Sequence, residues 1–168
     1  MNKKSLNLDL NPYQINGVIH VGAGTGAYAD YYHKLGIHKV LWLEAQGHLY
    51  GTLYSNTCQY GMNQKILTGA QILGHDALPS VKKLVTLWRE NASFLDMESY
   101  DLLHIGCSKN HLQILEGCDF LLSNFRAIVF SAGDLTEEVH SFLSNKGYDK
   151  VLWVTAEMND FETLYMKR

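Results

Sequence analysis

The stretch from Val18 to Gly26 reads V-I-H-V-G-A-G-T-G, and the fold prediction for the whole chain starts from it. Its first residues form a short, mainly apolar strand pattern, and glycines follow at Gly22, Gly24 and Gly26. Glycine permits a sharp turn and lets a ligand approach main-chain N–H groups without a Cβ in the way. We therefore predict a buried strand that ends in a ligand-binding loop, with a helix beginning directly after it.

Glu44 supports a nucleoside ligand at this loop. It lies about 20 residues after the loop, at the end of the apolar run Lys39–Leu43, where a carboxylate can accept hydrogen bonds from both ribose hydroxyls. The spacing G-x-G-x-G differs from the dinucleotide fingerprint G-x-G-x-x-G and favours S-adenosylmethionine over NAD. The alternative is a tight strand-to-helix connection without a ligand, and the position of Glu44 makes this alternative the weaker one.

Length, charge and cysteine content limit the class of protein. The 168 residues suit one domain, residues 1–168, and the 46% apolar content is enough for a core. A net charge of −3 provides no basic field, so we expect no nucleic-acid partner. Three cysteines form no disulfide framework, which favours a cytoplasmic protein. The chain contains no long apolar run, so we expect no membrane span.

Strand and helix patterns alternate along the chain, which predicts an α/β fold with a doubly wound, mostly parallel sheet. A short polar connection joins the last two strands, so they are expected to form a C-terminal antiparallel hairpin. The predicted strands are Val18–Val21, Lys39–Leu43, Lys65–Thr68, Lys83–Leu87, Asp101–Ile105, Arg126–Phe130, Lys150–Thr155 and Phe161–Met166. The predicted helices are Ala27–Leu35, His48–Cys58, Asn110–Leu122 and Leu135–Asn145, with a turn or short helix at Trp88–Met97.

Over nearly its whole length the chain resembles the FkbM-like family of class I S-adenosylmethionine-dependent methyltransferases, which have a Rossmann-like fold. The resemblance rests on V-I-H-V-G-A-G-T-G (18–26), Y-Y-H-K-L-G-I-H-K-V-L-W-L-E-A (31–45), Y-D-L-L-H-I (100–105), L-Q-I-L-E-G-C-D-F-L-L (112–122) and the ending A-E-M-N-D-F-E-T-L-Y-M-K-R (156–168). It implies S-adenosylmethionine as the cofactor, with Glu44 at the ribose. It also implies that the methionine and ribose part lies along Gly22, Ala23, Gly24 and Gly26.

Two departures from the family pattern concern the second half of the cofactor site. The family continues its fourth strand with I-D-V-x-G-x-E, whereas residues 105–111 here read I-G-C-S-K-N-H, so the expected acid is missing at Gly106. The third strand of relatives ends in Ser-Asp near the adenine, whereas residues 71–73 read Q-I-L and Asp76 follows. Asp76 is therefore the candidate for the adenine edge.

Four further residues are candidates for chemistry. Methyl transfer needs positioning and, for a hydroxyl acceptor, a base; His104, Cys107 and His111 are weak candidates to replace the missing acid. With Cys118, these residues also match a zinc pattern, but a strand residue and a distant helix residue converge poorly, so no metal site is predicted. His20 lies where many relatives carry an acid. It could bind a loop N–H or the cofactor, although a core histidine is the more common situation.

Two functions from different classes remain open at this point. The first is an S-adenosylmethionine-dependent methyltransferase that transfers a methyl group to a hydroxyl of a small molecule or sugar. The alternative is a catalytically inactive methyltransferase-like domain that serves as a binding or structural subunit, with a protein partner or as a homo-oligomer. An NAD-dependent oxidoreductase is disfavoured by the glycine spacing. The substitution Glu44→Ala is expected to abolish cofactor binding and to leave the fold intact.

Overall fold

The computed structural model of the chain describes residues 14–68, 99–107, 109–131, 134–151 and 163–168. The predicted strand Lys83–Leu87, the predicted turn Trp88–Met97 and the candidate Asp76 lie outside these residues. That the 168 residues make up one domain stays a prediction.

Seven strands among the described residues form one sheet in the order β3-β2-β1-β4-β5-β7-β6. The four pairs among the first five strands are parallel, whereas β7 is antiparallel to both β5 and β6. This arrangement confirms the predicted mostly parallel, doubly wound sheet with an antiparallel C-terminal end. The strands are β1 (Gly17–Val21), β2 (Lys39–Glu44), β3 (Asn63–Thr68), β4 (Leu102–Ile105), β5 (Ala127–Phe130), β6 (Tyr148–Val151) and β7 (Thr163–Lys167).

The helices begin and end where the local backbone requires it. The first helix starts two residues later than predicted, because Gly26 has a φ of +78° and a turn separates it from Ala29. The predicted helix Asn110–Leu122 is interrupted at Cys118, whose φ of −99° and ψ of 6° leave the helical region. The helices are α1 (Ala29–Lys34), α2 (Tyr50–Cys58, preceded by a 3₁₀ turn, Gly47–Leu49), α3 (His111–Gly117), α4 (Asp119–Leu122) and α5 (Glu137–Asn145).

Both faces of the four central parallel strands β1, β2, β4 and β5 are buried, which explains why these strands are mainly apolar. One core cluster joins alternate strand residues such as Ile19, Leu41 and Leu103 to Leu115 of α3 and Leu143 of α5. The other cluster lies on the opposite face, where Val18, Val40, Trp42 and Leu102 pack with Tyr32 of α1 and Leu53 of α2. His20 and His104 alternate with the first set along β1 and β4, so they lie on this second face. Among the described residues, no helix is long and apolar enough to cross a membrane.

Asp101 fastens the beginning of β1 to β4 at the amino edge of the sheet. Its buried carboxylate accepts hydrogen bonds from the backbone N–H of Asn16 at 2.9 Å and of Gly17 at 3.2 Å. The Asn16 side-chain amide adds a third hydrogen bond, at 2.7 Å. One carboxylate therefore holds the chain in register immediately before the strand that carries the glycine loop.

We predict that Asp101→Ala lowers the free energy of unfolding by about 2–4 kcal/mol, because the buried N–H of Gly17 and the part-buried N–H of Asn16 lose their charged partner. Chemical denaturation of the purified variant measures this change. Asp149→Ala is the matched control, since the side chain of Asp149 forms an exposed ion pair with Arg168 and, among the described residues, no other; the pair should contribute less than about 1 kcal/mol. Equal losses of unfolding free energy in the two variants would contradict the view that the Asp101 hydrogen bonds stabilise the start of β1.

Candidate functional site

The glycine loop turns away from β1 through three residues with left-handed backbone geometry. Gly22, Gly24 and Gly26 have φ angles of +76°, +57° and +78°, which other residues adopt only at a cost. The loop is held against β2, because the N–H groups of Gly22 and Ala23 both donate to the Leu43 carbonyl, at 2.8 and 3.1 Å. The strand-loop-helix unit predicted from the glycine spacing is therefore present.

The three glycines differ in what surrounds them. A Cβ on Gly22 would lie 2.9 Å from the backbone N of Cys107, and a Cβ on Gly26 would lie 2.7 Å from the Thr57 methyl group. Gly24 has no described atom within 4 Å of the corresponding position. Gly22 and Gly26 thus allow close packing within the protein, whereas Gly24 faces open space beside the carboxyl edge of the sheet.

Glu44 is a charged group at this edge and is hydrogen-bonded directly to the loop. Its carboxylate accepts a hydrogen bond from the Gly24 N–H at 2.6 Å and another from the Gln46 N–H at 2.8 Å. The residue is only 5% exposed. Each carboxylate oxygen holds one of these bonds and can accept another. The carboxylate can therefore bind a hydroxyl-bearing ligand while it holds the loop in place.

The structure thus brings together Gly22, Ala23, Gly24 and Gly26 with Glu44 at the carboxyl ends of β1 and β2. Asp76 lies outside the described residues, so its predicted role at an adenine edge stays a prediction. The assignment of the other residues to a cofactor also stays a prediction.

The hydrogen bonds of Glu44 affect which substitution can test its role in binding. Glu44→Ala would remove the acceptor of the part-buried amides of Gly24 and Gln46, so some loss of stability is expected along with any loss of binding.

A buried hydrogen-bonded chain lies beneath this edge, and sequence reasoning did not find it. The Tyr32 hydroxyl contacts Nδ1 of His20 at 2.9 Å and Nδ1 of His104 at 2.5 Å. Nε2 of His104 contacts the Ser131 hydroxyl at 2.8 Å. The two imidazole rings are stacked with their centroids 4.0 Å apart. The sequence showed only that two predicted strands each contain a histidine. It could not show that the two histidines are neighbours, because this depends on the register of β1 against β4.

Burial keeps both histidines neutral. Desolvation lowers the pKa of His20 from its ordinary value of 6.5 to about 3. Desolvation also lowers the pKa of His104 well below that ordinary value, and repulsion from His20 lowers it further. His104, a candidate base from the sequence, is therefore a buried residue with both ring nitrogens hydrogen-bonded. His20 is hydrogen-bonded to the Tyr32 hydroxyl and not to a loop N–H. This is the arrangement expected of a core histidine.

His20 also explains why no acid stands at Gly106. A Cβ on Gly106 would lie 2.8 Å from His20 Nε2 and 2.9 Å from the Gly22 carbonyl oxygen, which is closer than side-chain atoms pack. The histidine ring and the loop therefore fill the space that the family's acid would need. The histidine in β1 and the glycine after β4 therefore belong to one packing arrangement.

The remaining candidates have structural partners. Burial raises the pKa of the Cys107 thiol to about 11, and the negative charge of Glu44 contributes to this rise, so Cys107 is not a thiolate at neutral pH. His111 opens α3 and its Nε2 bonds the Cys107 carbonyl at 2.8 Å. Cys118 is fully buried. Within the described ranges, no three potential metal ligands converge.

Comparison with known proteins identifies the fold. No protein-family model matches the chain, and no curated protein matches its sequence. A candidate tRNA methyltransferase of Streptococcus pneumoniae, in complex with S-adenosyl-L-methionine, has a TM-score of 0.63 at 14% identity, over 97% of this chain and 72% of that one. TrmK of M. capricolum, in complex with S-adenosyl-homocysteine, has a TM-score of 0.61 at 11% identity, over 98% of this chain and 68% of that one.

A third similar structure is the ribosomal protein L11 methylase of Lactobacillus delbrueckii subsp. bulgaricus. Its TM-score is 0.56 at 18% identity, over 90% of this chain and 70% of that one. Such low identities establish the fold alone, which is the Rossmann-like fold of class I S-adenosylmethionine-dependent methyltransferases. Membership of the FkbM-like family stays a prediction.

The comparison corrects the prediction about partners, which gave a small molecule or sugar and excluded nucleic acid. That exclusion is wrong, because the fold of this chain is shared with a candidate tRNA methyltransferase. The physical reason is that the exclusion rested on a net charge of −3. Net charge governs long-range attraction, whereas a substrate is recognised by local contacts at the site.

We predict that the two histidines make the protein less stable as the pH falls from about 6.5 towards 3. In this range the unfolded chain binds protons that the folded chain excludes, so stability increases with pH, by up to about 1.4 kcal/mol per pH unit for each histidine. Urea denaturation between pH 6 and 4.5 measures the slope. His20→Asn should reduce the slope relative to the wild type, whereas His48→Asn, at an exposed position, should leave it unchanged. An unaltered slope in His20→Asn would show that His20 titrates normally.

Proposed function

We propose that this chain binds S-adenosylmethionine at the carboxyl edge of its sheet and transfers the methyl group to RNA. The observation that carries the proposal is the Glu44 carboxylate, which is bonded to Gly24 at 2.6 Å beside open space. An acid with remaining acceptor capacity next to half-buried glycine backbone suits a ribose that carries two hydroxyls. The same position in the sheet order, above the first strand, is where ligands bind in doubly wound folds.

In this arrangement, Glu44 accepts hydrogen bonds from the ribose hydroxyls, and the loop from Gly22 to Gly26 borders the rest of the nucleoside and the methionine part. Bound S-adenosylmethionine supplies a methyl group on a positively charged sulfur, so the chemistry needs mainly alignment of the acceptor. The protein's contribution is a rigid edge, because the loop is bonded to both Leu43 and Glu44.

RNA is proposed as the substrate because the fold is shared with a candidate tRNA methyltransferase. A chain with a net charge of −3 cannot rely on a general attraction to phosphates. Binding to RNA should therefore come from a few local contacts, and its dependence on salt should be weak compared with that of a basic RNA-binding protein. The cofactor-bound structures it resembles are longer, since this chain covers 72% and 68% of their lengths.

A second candidate function is a methyltransferase-like domain that binds the cofactor or a partner but does not transfer methyl groups. The packing of His20 against Gly106 favours it, since no acid can be placed there without displacing the ring. The protonated Cys107 thiol also offers no base at this edge. This candidate predicts cofactor binding without methyl transfer, which separates it from the first.

We predict that Glu44→Gln weakens binding of S-adenosylmethionine at least tenfold, that is, by about 1.4 kcal/mol or more, because an amide NH₂ cannot accept hydrogen bonds from the ribose hydroxyls. Calorimetric titration with S-adenosylmethionine and S-adenosylhomocysteine measures the affinity, which should lie near the micromolar range for the wild type, about 8 kcal/mol. Glu116→Gln makes the same chemical change at an exposed site of α3 and serves as the control.

The titration and a transfer assay together decide between the two functions. Absence of binding in the folded wild type would refute the cofactor site. Binding followed by incorporation of labelled methyl groups into transcribed tRNA would support the proposed reaction. Binding without incorporation into any RNA tested would favour the non-catalytic candidate.

A second prediction uses two glycines with matched backbone geometry. Gly24 and Gly36 have φ angles of +57° and +73°, and neither has a described atom within 4 Å of the position that a Cβ would take, so alanine should strain the backbone by a similar amount, about 1–2 kcal/mol. Only Gly24→Ala should also weaken S-adenosylmethionine binding, because its methyl group would project into the proposed site. Thermal denaturation and titration of both variants measure the two effects. Equal cofactor affinities would place the ligand away from Gly24.

A further inference from the structure

The glycine loop, residues Gly22–Gly26, is held from two sides. Its first half is hydrogen-bonded to the end of β2, through the Leu43 carbonyl and the Glu44 carboxylate. Its second half contacts α2 instead. The side-chain amide of Asn56 in α2 donates a hydrogen bond to the Thr25 carbonyl at 2.7 Å. The loop therefore lies between a strand end and a helix, and each of them bonds a different part of it.

Packing fixes the part of α2 that carries Asn56. Leu53 and Thr57 are fully buried, and both lie against the loop. A Cβ on Gly26 would lie 2.9 Å from Cδ1 of Leu53 and 2.7 Å from the Thr57 methyl group. Residues 53, 56 and 57 have the i, i+3, i+4 spacing that brings side chains together along a helix. The Asn56 side chain is exposed, but buried neighbours on both sides hold its backbone in place.

The bond from Asn56 completes the hydrogen bonding of one peptide group in the loop. The Thr25 carbonyl and the Gly26 N–H belong to the same planar peptide unit. The N–H donates to the Ala23 carbonyl at 3.0 Å, and the carbonyl accepts from Asn56 at 2.7 Å. A rotation of this unit would therefore break two hydrogen bonds, one within the loop and one to α2.

We propose that Asn56 is a positioning residue for cofactor binding, which holds the peptide unit between Thr25 and Gly26 in the orientation that S-adenosylmethionine requires. This inference rests on the proposed function, because it takes S-adenosylmethionine as the ligand of the loop. A loop that is already in its binding conformation adds less ordering cost when the ligand binds. Glu44 has this effect at Gly24, and Asn56 has it at the other end of the loop.

Gln59, directly after α2, provides a matched control for Asn56. Its side-chain amide also donates to a backbone carbonyl, that of Asn56, at 2.9 Å, and both side chains are exposed. The bond from Gln59 stays at the end of the helix, whereas the bond from Asn56 crosses to the loop. Alanine has a higher helix propensity than either residue, so neither alanine variant is expected to unfold α2.

The effect on the loop is tested without cofactor. The Gly26 nitrogen is covalently bonded to the Thr25 carbonyl carbon, so its chemical shift responds to the hydrogen bond that this carbonyl accepts. In ¹H–¹⁵N correlation spectra, Asn56→Ala should move the Gly26 cross-peak, whereas Gln59→Ala should leave it in place. An unmoved Gly26 cross-peak in Asn56→Ala would overturn the proposal, because the bond to α2 would then not hold the loop in solution.

The effect on binding is tested by calorimetric titration with S-adenosylmethionine. Asn56→Ala should raise the Kd about three- to tenfold, the value of one lost neutral hydrogen bond, and Gln59→Ala should stay within about twofold of the wild type. Asn56→Gln keeps an amide donor on an exposed side chain and should recover most of the affinity. Thermal denaturation should give the two alanine variants similar melting temperatures, which separates a loss of binding from a loss of folding.

Each other outcome contradicts a definite part of the proposal. An unchanged Kd in Asn56→Ala would show that binding does not depend on the bond to α2, and it would overturn the inference while the proposed function stands. An Asn56→Gln variant as weak as Asn56→Ala would overturn it too, because the amide donor would not be the group that matters. A folded wild type that binds no S-adenosylmethionine would refute the proposed cofactor site and, with it, the role of Asn56 in binding.

Discussion

The hydrogen bond from the Gly24 N–H to the Glu44 carboxylate is the interaction on which the rest of the site depends. It joins the end of β1 to the end of β2 at 2.6 Å, and a second bond from Gln46 fixes the other carboxylate oxygen. An ionised group with two N–H donors is held more strongly than a neutral pair. These bonds hold the loop against the end of β2 in the protein without a ligand.

The packing of His20 against Gly106 determines what chemistry this edge can carry. The imidazole lies among Tyr32, Trp42 and His104, in a core that lowers its pKa and keeps it neutral. A side chain at position 106 would have to displace the His20 ring and the Gly22 carbonyl, because a Cβ there would lie 2.8 and 2.9 Å from them. A hydrogen-bonded chain of His20, Tyr32, His104 and Ser131 lies beneath this edge, and burial keeps its two histidines neutral.

Much of the fold could be predicted from the sequence because its signals are local. Apolar runs located the strands around Val18 and Lys39, and the glycine spacing located the loop between β1 and α1. The element ends were less predictable: α1 begins at Ala29 because the Gly26 turn must be completed first, and a bend at Cys118 separates α3 from α4. The insertion of β7 between β5 and β6 depends on pairing between distant segments, which local patterns do not record.

The sequence by itself determined the α/β class, the glycine loop and the acid at Glu44, because these depend on backbone freedom, hydrophobic periodicity and spacing within about 30 residues. Only the tertiary structure decided which histidines meet. His20 and His104 are 84 residues apart in the chain, and the parallel register of β1 and β4 makes them neighbours. Burial then removes their charge. These properties arise from contacts between strands and have no signature in either segment alone.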